Sequence, residues 1–476
     1  GPPRAGRGLS GAYHARLRRI YRSLVLPGRR VLEVGCAQGD LLAALEPAHG
    51  VGVDLSPGMV GEARRRHPHL TFVEADAHGL GAALPRGAGG PFDAIILSDL
   101  ANDLWDVQGV LEGLRPLCTA RTRVIMNSYS RLWGWPLGLA RRARLARPVL
   151  EQNWLSPDDV DSLLTLAGFE PVRRFAEVLC PLPVPGLAPL LNRVGVRLWP
   201  LRHLALTNFV VARVRPGGPG PRTEAGERER DPDGSPAEPS VSVIVPARNE
   251  AGNIEALLAR VPAMGSRTEL IVVEGHSTDD TWATLERRLG GFDRLPWALL
   301  RQKGRGKGDA VRAGFDIARG DILMILDADL TVAPEDLPRF YEALRAGTGE
   351  FVNGVRLVYP MERGAMRSLN LLGNKFFGLA FSWVLGQRVR DTLCGTKALW
   401  REDYRRIAGA RDYFGDFDPF GDFDLIFGAA RQSLRILDLP IRYRERTYGQ
   451  TNISRFRHGL LLFRMLGVAA RKLKFT

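Results

Sequence analysis

Residues 214 to 239 read VRPGGPGPRTEAGERERDPDGSPAEP, and they divide the chain more firmly than any other stretch. Pro, Gly and charge dominate, with almost nothing to bury, so the segment reads as a flexible, partly extended linker. SVSVIVPA follows at once, a β-branched run of the kind that forms a buried parallel strand. On both sides, strand-like and helix-like patterns alternate with no short repeat. This predicts an α/β domain with a parallel sheet in residues 1–213 and a second in residues 240–476. At 476 residues the chain is long enough for two cores.

Charge narrows the partners. Sixty-six Lys and Arg against 52 Asp and Glu give +14, which favours anionic ligands or an acidic membrane face. Cys36, Cys118, Cys180 and Cys394 show no paired spacing and no neighbouring His cluster. Neither a disulfide framework nor a zinc site is expected, and a reducing cytoplasm is.

RRVLEVGCAQGDLLAAL (29–45) runs strand, small-residue turn, helix. Gly35, Ala37 and Gly39 allow a ligand to press on the turn, and Asp54 closes the next strand, where a carboxylate can bind ribose hydroxyls. A dinucleotide fingerprint would need glycine where Ala37 and Asp40 stand, which disfavours NAD. The segment resembles class I S-adenosylmethionine-dependent methyltransferases over residues 12 to 213. The resemblance implies a Rossmann-like fold and S-adenosylmethionine at Glu33, Gly35, Ala37, Gly39, Asp54 and, through FVEADA (72–77), Asp76. FDAIILSDL (92–100) matches the fourth strand, so Asp99, Asn102 and Asp103 stand where an acceptor base would sit or are structural. Glu33 and Asp54 are otherwise read as capping or solvated strand ends.

Beyond the linker, Asp327-Ala-Asp329 closes a strongly apolar strand, DILMILDADL. Carboxylates at i and i+2 there are costly unless they hold a cation, and a divalent ion (Mg or Mn) bridging diphosphate oxygens is the expected tenant. Upstream, Gly304, Gly306 and Gly308 around Lys307 let phosphates pass closely. These motifs resemble a family-two, inverting glycosyltransferase of GT-A fold, in the branch of the dolichyl- or polyprenyl-phosphate sugar synthases. The resemblance runs from about residue 240 to the C-terminus. It implies a nucleotide-sugar site at Pro246, Ala247, Arg248, Glu250, Glu274, Lys307, Asp327 and Arg446, with Asp327 and Asp329 as metal ligands. Glu274 replaces the usual Asp, and Asn452 stands where the late loop RTYGQTNIS usually has Lys. Asp391 lies on the acceptor side or in a turn; Asp424 is a site residue or a helix cap.

VNGVRLVYPMERGAMRSLN (352–370) then supplies positive charge. A phosphate monoester is already a nucleophile and needs cations rather than a base, and guanidinium forks suit it. Arg356 and Arg367 match family arginines that grip the acceptor phosphate. Phe376, Phe377, Ala380 and Val384 recur at helical spacing, and basic residues interrupt RFRHGLLLFRMLGVAARKLKF (455–475). Helices near 368–388 and 455–474 are therefore expected to lie on an anionic membrane surface, the alternative being a packed core or dimer interface.

The combined expectation is a bifunctional, membrane-peripheral transferase at the inner face of the plasma membrane. It would move a sugar from a nucleotide donor to a polyprenyl phosphate and methylate a molecule of the same pathway. A hydroxyl acceptor with a non-catalytic methyltransferase-like domain is the rival reading. Nucleic acid is not an expected partner, since residues 1–213 show no basic groove with interleaved aromatics.

Overall fold

The computed structural model of the protein describes residues 9–80, 84, 90–142, 152–182, 184–216, 238–359, 368–413, 423–446, 448 and 455–475. Its internal contacts form two units, one of Gly1–Glu227 with Phe475–Thr476, the other of Arg228–Lys474.

In the N-terminal unit seven strands make one sheet: β1 Arg30–Val34, β2 His49–Asp54, β3 Thr71–Glu74, β4 Phe92–Leu97, β5 Cys118–Tyr129, β6 Phe169–Glu177 and β7 Thr207–Val214. The spatial order is β3-β2-β1-β4-β5-β7-β6. Side chains alternate across the strands, so Leu32, Val34, Ile95 and Leu97 enter one core while Val31, Ala94 and Ile96 enter the core on the opposite face. Each such aliphatic side chain taken fully out of water contributes about 1.5–3 kcal/mol. The helix Pro157–Leu166 starts at a Ser156–Asp159 capping box and is followed by Gly168 in the left-handed region, which turns the chain into β6.

The C-terminal unit repeats the principle with β8 Val241–Ala247, β9 Thr268–Glu274, β10 Trp297–Arg301, β11 Ile322–Ile325, β12 Phe351–Val355, β13 Lys397–Trp400 and β14 Ile436–Pro440. Their order is β10-β9-β8-β11-β13-β12-β14. Ile244, Leu323 and Ile325 enter one core; Val243, Val245, Ile322 and Met324 enter the other.

The expectation of parallel sheets needs correction in both units. β7 runs antiparallel to β5 and β6, and β13 runs antiparallel to β11 and β12. Burial on both faces makes such strands as uniformly apolar as parallel ones, so composition does not reveal their direction. Strand order reverses between β1 and β4, and again between β8 and β11. Crevices form at such switch points, outside the carboxyl ends of the strands, and Gly35, Ala37, Gly39, Asp99, Asp327 and Asp329 follow the strands that flank them.

The apolar helix of residues 368–388 is also revised. It spans Ser368–Leu385 and stops at Gly386, whose φ is +69°. Phe377, Phe381, Val384 and Leu385 are buried in the core, whereas Phe376, Leu379 and Trp383 are exposed. Phe377 and Val384, expected on a membrane-facing stripe, therefore belong to the core instead.

Candidate functional site

At the N-terminal switch point the turn after β1 holds three residues with positive φ: Gly35 (+76°), Ala37 (+45°) and Gly39 (+74°). Glycine adopts this backbone freely, whereas alanine does so at a cost of about 1–2 kcal/mol. Asp54, at the end of β2, accepts from the Ala37 amide at 2.8 Å through one oxygen and from the Ser56 amide at 2.9 Å through the other. It thus holds the turn in shape. Glu33 in β1 is buried, and one of its carboxylate oxygens has no hydrogen-bond partner. Burial pushes its carboxyl up to about 8, against a backbone hydrogen bond from Leu42. Asp76 caps the short helix Ala77–Gly79 by accepting from the His78 amide, and His78 lowers its carboxyl further through Nδ1 at 2.7 Å.

Asp99 lies just past β4 with φ +54°, beside Leu100, which packs on Gly35. Its Oδ1 accepts from the Tyr13 hydroxyl at 2.8 Å and from Asn127 Nδ2. Asn127 in turn accepts from the Tyr21 hydroxyl at 2.6 Å, so the carboxylate sits at the end of a fixed chain. Burial raises its carboxyl, with the bonds from Tyr13 and Asn127 opposing. Asn102 and Asp103 do other work: Asn102 bridges Asn153 O and the Tyr129 amide, and Asp103 accepts from Gln152. Tyr13 and Asn127 had no sequence signal, since they lie 86 and 28 residues from Asp99.

At the C-terminal switch point the Asp327 carboxylate meets Lys307 Nζ at 2.6 Å. Burial would raise this carboxyl, but Lys307, Lys397 and Arg356 outweigh it and hold it below the ordinary range. Asp329 accepts from Thr331 Oγ1 at 2.8 Å and pairs with Arg446 at 2.5 Å. Arg446 also reaches Glu250 at 3.2 Å, while Glu250 accepts from Asn253 at 2.6 Å. Burial lifts the Glu250 carboxyl to about 7 despite Arg446 and Asn253. Three carboxylates and two cations thus meet at the end of β11.

The other residues expected at a nucleotide-sugar site lie in the loops around that end. Glu274 accepts from the Ser277 amide at 2.5 Å, and Gly275 donates to Ala247 O, joining the β8 and β9 loops. His276, with φ +58°, contacts Gly304 O at 2.9 Å and so ties this loop to the glycine stretch before Lys307. Arg248 is exposed beside them, and Pro246 lies half-buried within β8. Gly395 leaves room for the ion pair: a Cβ there would fall inside van der Waals contact of Asp327 Oδ2 and Lys307 Nζ, so those side-chain ends would have to shift. Lys397, fully buried, donates to Cys394 O. Neither Gly395 nor Lys397 was among the predicted residues.

Arg356 grips Asp391 with two bonds, Nε to Oδ2 at 2.7 Å and Nη2 to Oδ1 at 2.9 Å. Burial opposes ionisation of Asp391, but Arg356 wins and holds the carboxyl low. Asp424 instead pairs with Arg411 at 3.2 Å, its carboxyl raised by burial. Arg367, Asn452 and most of the late loop lie outside the described residues.

Among the described residues no group of three or more His, Cys, Asp or Glu could hold a metal. Asp327 and Asp329 are oxygen donors of the kind a hard divalent ion takes, and they would need further ligands from a bound diphosphate. The strained turn and the partnerless Glu33 oxygen fit a compact polar cofactor.

Residues 242–407 match the model described as Glycosyl transferase family 2, and residues 31–119 match the one described as Methyltransferase domain. The C-terminal half is similar to the glycosyltransferase AglJ of Haloferax volcanii, 29% identical over 48% of this chain and 71% of that protein. It is also similar to the dolichol-phosphate mannosyltransferase of Pyrococcus furiosus, 37% identical over 23% of this chain and 31% of that protein. The undecaprenyl-phosphate 4-deoxy-4-formamido-L-arabinose transferase of Pseudomonas fluorescens is 28% identical over 48% of this chain and 63% of its own length. The chain thus spans under two thirds of the latter two. Among solved structures, glucosyl-3-phosphoglycerate synthase from Mycobacterium tuberculosis matches 49% of this chain and 80% of that one, with TM-score 0.37 and 21% identity. Magnesium protoporphyrin IX methyltransferase from Synechocystis matches 44% and 90%, with TM-score 0.32 and 19% identity.

Proposed function

We propose that the chain is a bifunctional transferase: the C-terminal unit moves a sugar, with inversion, from a nucleotide-sugar to a polyprenyl phosphate, and the N-terminal unit methylates a molecule of the same pathway. The observation that carries the reading is the charge arrangement after β11, where Asp327 and Asp329 meet Lys307 and Arg446. A diphosphate entering there finds two side-chain cations within reach. A divalent ion, when bound at Asp327 and Asp329, supplies further neutralisation of the departing diphosphate. Pro246, Ala247, Arg248, Glu250 and Glu274 belong to the loops that flank this end, and we assign them to the nucleotide.

The acceptor reading rests on what the carboxylates are doing. A hydroxyl acceptor needs a carboxylate base, yet Asp391 is locked to Arg356 and Asp424 to Arg411. A phosphate acceptor needs only positive charge and alignment, which Arg356, set by Asp391, and Arg367 supply in this proposal. In the N-terminal unit, bound S-adenosylmethionine supplies an electrophilic methyl group. Asp54 shapes the turn that receives it, and Asp99 orients or deprotonates the acceptor.

Association with an anionic inner leaflet is proposed from Phe376, Leu379, Trp383, Leu460 and Phe463, which are exposed on the helices Ser368–Leu385 and Arg455–Ala469. No helix among the described residues is long and apolar enough to cross a membrane. The test is a donor screen with Mn²⁺, UDP-, GDP- and dTDP-sugars and a short-chain polyprenyl phosphate, read by mass spectrometry. Glycolipid should form with one donor and vanish in Asp327→Asn/Asp329→Asn. Unchanged turnover and nucleotide affinity in that double variant would sink the proposal.

A further inference from the structure

The N-terminal unit exposes an apolar surface that its proposed chemistry does not use. Leu132, Trp135 and Leu139 stand out from Arg131–Trp133 and the helix Gly134–Arg142, and Leu187, Leu190, Leu198 and Trp199 from residues 182–204. Trp135 is 83% exposed and Trp199 75%, values at which indole gains nothing from the protein. The two segments are tied to each other at one point. Trp133 Nε1 donates to Leu204 O at 2.9 Å, and the helix Leu187–Arg193 is fixed to the end of β6 by two 2.7 Å bonds between Asn192 and Cys180. Folded proteins rarely leave so many large apolar side chains together in water unless something covers them.

Charge indicates what the cover is. Residues 131–142 and 181–206 contain six arginines and not one Asp or Glu. Arg131, Arg193 and Arg202 are exposed beside the leucines and tryptophans. Arg197 is buried against Glu177, which leaves Arg131, Arg193 and Arg202, among the described residues, as the exposed cations that a second copy of this surface would meet with its own positive charge. Tryptophan and leucine with exposed arginines, on segments that carry no acid of their own, is instead the composition that suits the interface of an anionic bilayer, where indole sits at headgroup depth.

We infer that this face of the N-terminal unit docks on an anionic lipid surface. The inference does not depend on the glycosyltransferase reading. The surface reaches the acceptor side of the sheet, because the amide of Ser130, next to Tyr129, donates to Leu206 O at 2.7 Å. Docking on this face brings the chain that follows Tyr129 toward the bilayer.

The test is vesicle sedimentation of the full chain carrying Phe376→Ser, Leu379→Ser, Trp383→Ser, Leu460→Ser and Phe463→Ser, which removes the exposed apolar side chains proposed for the C-terminal helices. Phosphatidylcholine vesicles with phosphatidylglycerol should bind it, and neutral vesicles should bind it at least tenfold more weakly. Adding Trp135→Ala and Trp199→Ala should weaken anionic binding more than tenfold and remove part of the tryptophan quenching by brominated lipid. Arg193→Glu/Arg202→Glu should do the same through charge, at about fivefold per arginine lost. Equal binding by the tryptophan variant, or equal binding to neutral vesicles, overturns the inference. So does a dimer that the tryptophan variant dissolves while vesicle binding stays unchanged. Unaltered circular dichroism in each variant excludes unfolding as the cause.

Discussion

Gly395 shows how a single residue makes room for an ion pair. Its missing side chain lets the backbone pass against the Asp327–Lys307 pair, so Gly395→Ala should push that pair apart. We expect the sugar-transfer rate to fall at least a hundredfold while the unfolding temperature changes little, measured by turnover and calorimetry on the same sample. Glu33 carries a pH prediction. Its folded carboxyl titrates near 8 against an ordinary value of 4.5, so the fold favours the protonated form. The stability this contributes is complete below pH 4.5 and is lost as pH rises to about 8, a change of at most roughly 5 kcal/mol. Thermal unfolding of the N-terminal unit should therefore weaken across that window, and Glu33→Gln should flatten the dependence. Asp327 and Asp329 were legible as a pair because two acids after an apolar strand are conspicuous. Tyr13 was not, because nothing local marks a tyrosine that reaches Asp99 across the fold.

At the scale of elements, the helix Ser368–Leu385 separates two roles that its sequence blends. Phe381 is fully buried and packs on Phe423 and Phe427, at ring distances of 5.1 and 5.8 Å. Phe381→Ala should destabilise the C-terminal unit by about 3–5 kcal/mol. Leu379, two residues away and 75% exposed, should tolerate alanine within about 0.5 kcal/mol. Chemical denaturation of both variants checks the contrast, and equal losses would contradict the burial seen here. An element dominated by apolar residues gives periodicity no contrast to read, which is why Phe377 and Val384 were expected on the wrong face. The helix Pro157–Leu166 is the opposite case. Its Ser156 cap, its acids in the first turn and Gly168 beyond its end all stand in the sequence. Ser156→Ala should cost about 1 kcal/mol, read as a lower midpoint of N-terminal unfolding.

For the whole molecule, two sheets with separate cores predict two calorimetric transitions rather than one. Raising pH from 5 to 8 should move the transition that Glu33→Gln alters and leave the other nearly fixed. A single transition that moves as one would show the units to be coupled. Sequence alone determined that the chain holds two α/β units, the alternation of strands and helices, the small-residue turn after β1 and the acids after β11. Each is a local property of composition or spacing within a few residues, and local backbone physics acts over that range. Tertiary structure alone decided which strands run antiparallel, that Arg356 is bound to Asp391, that Arg446 bridges Glu250 and Asp329, and which apolar faces stay in water. Those outcomes depend on groups far apart in the chain competing for the same partner or the same burial, and no local pattern encodes the winner.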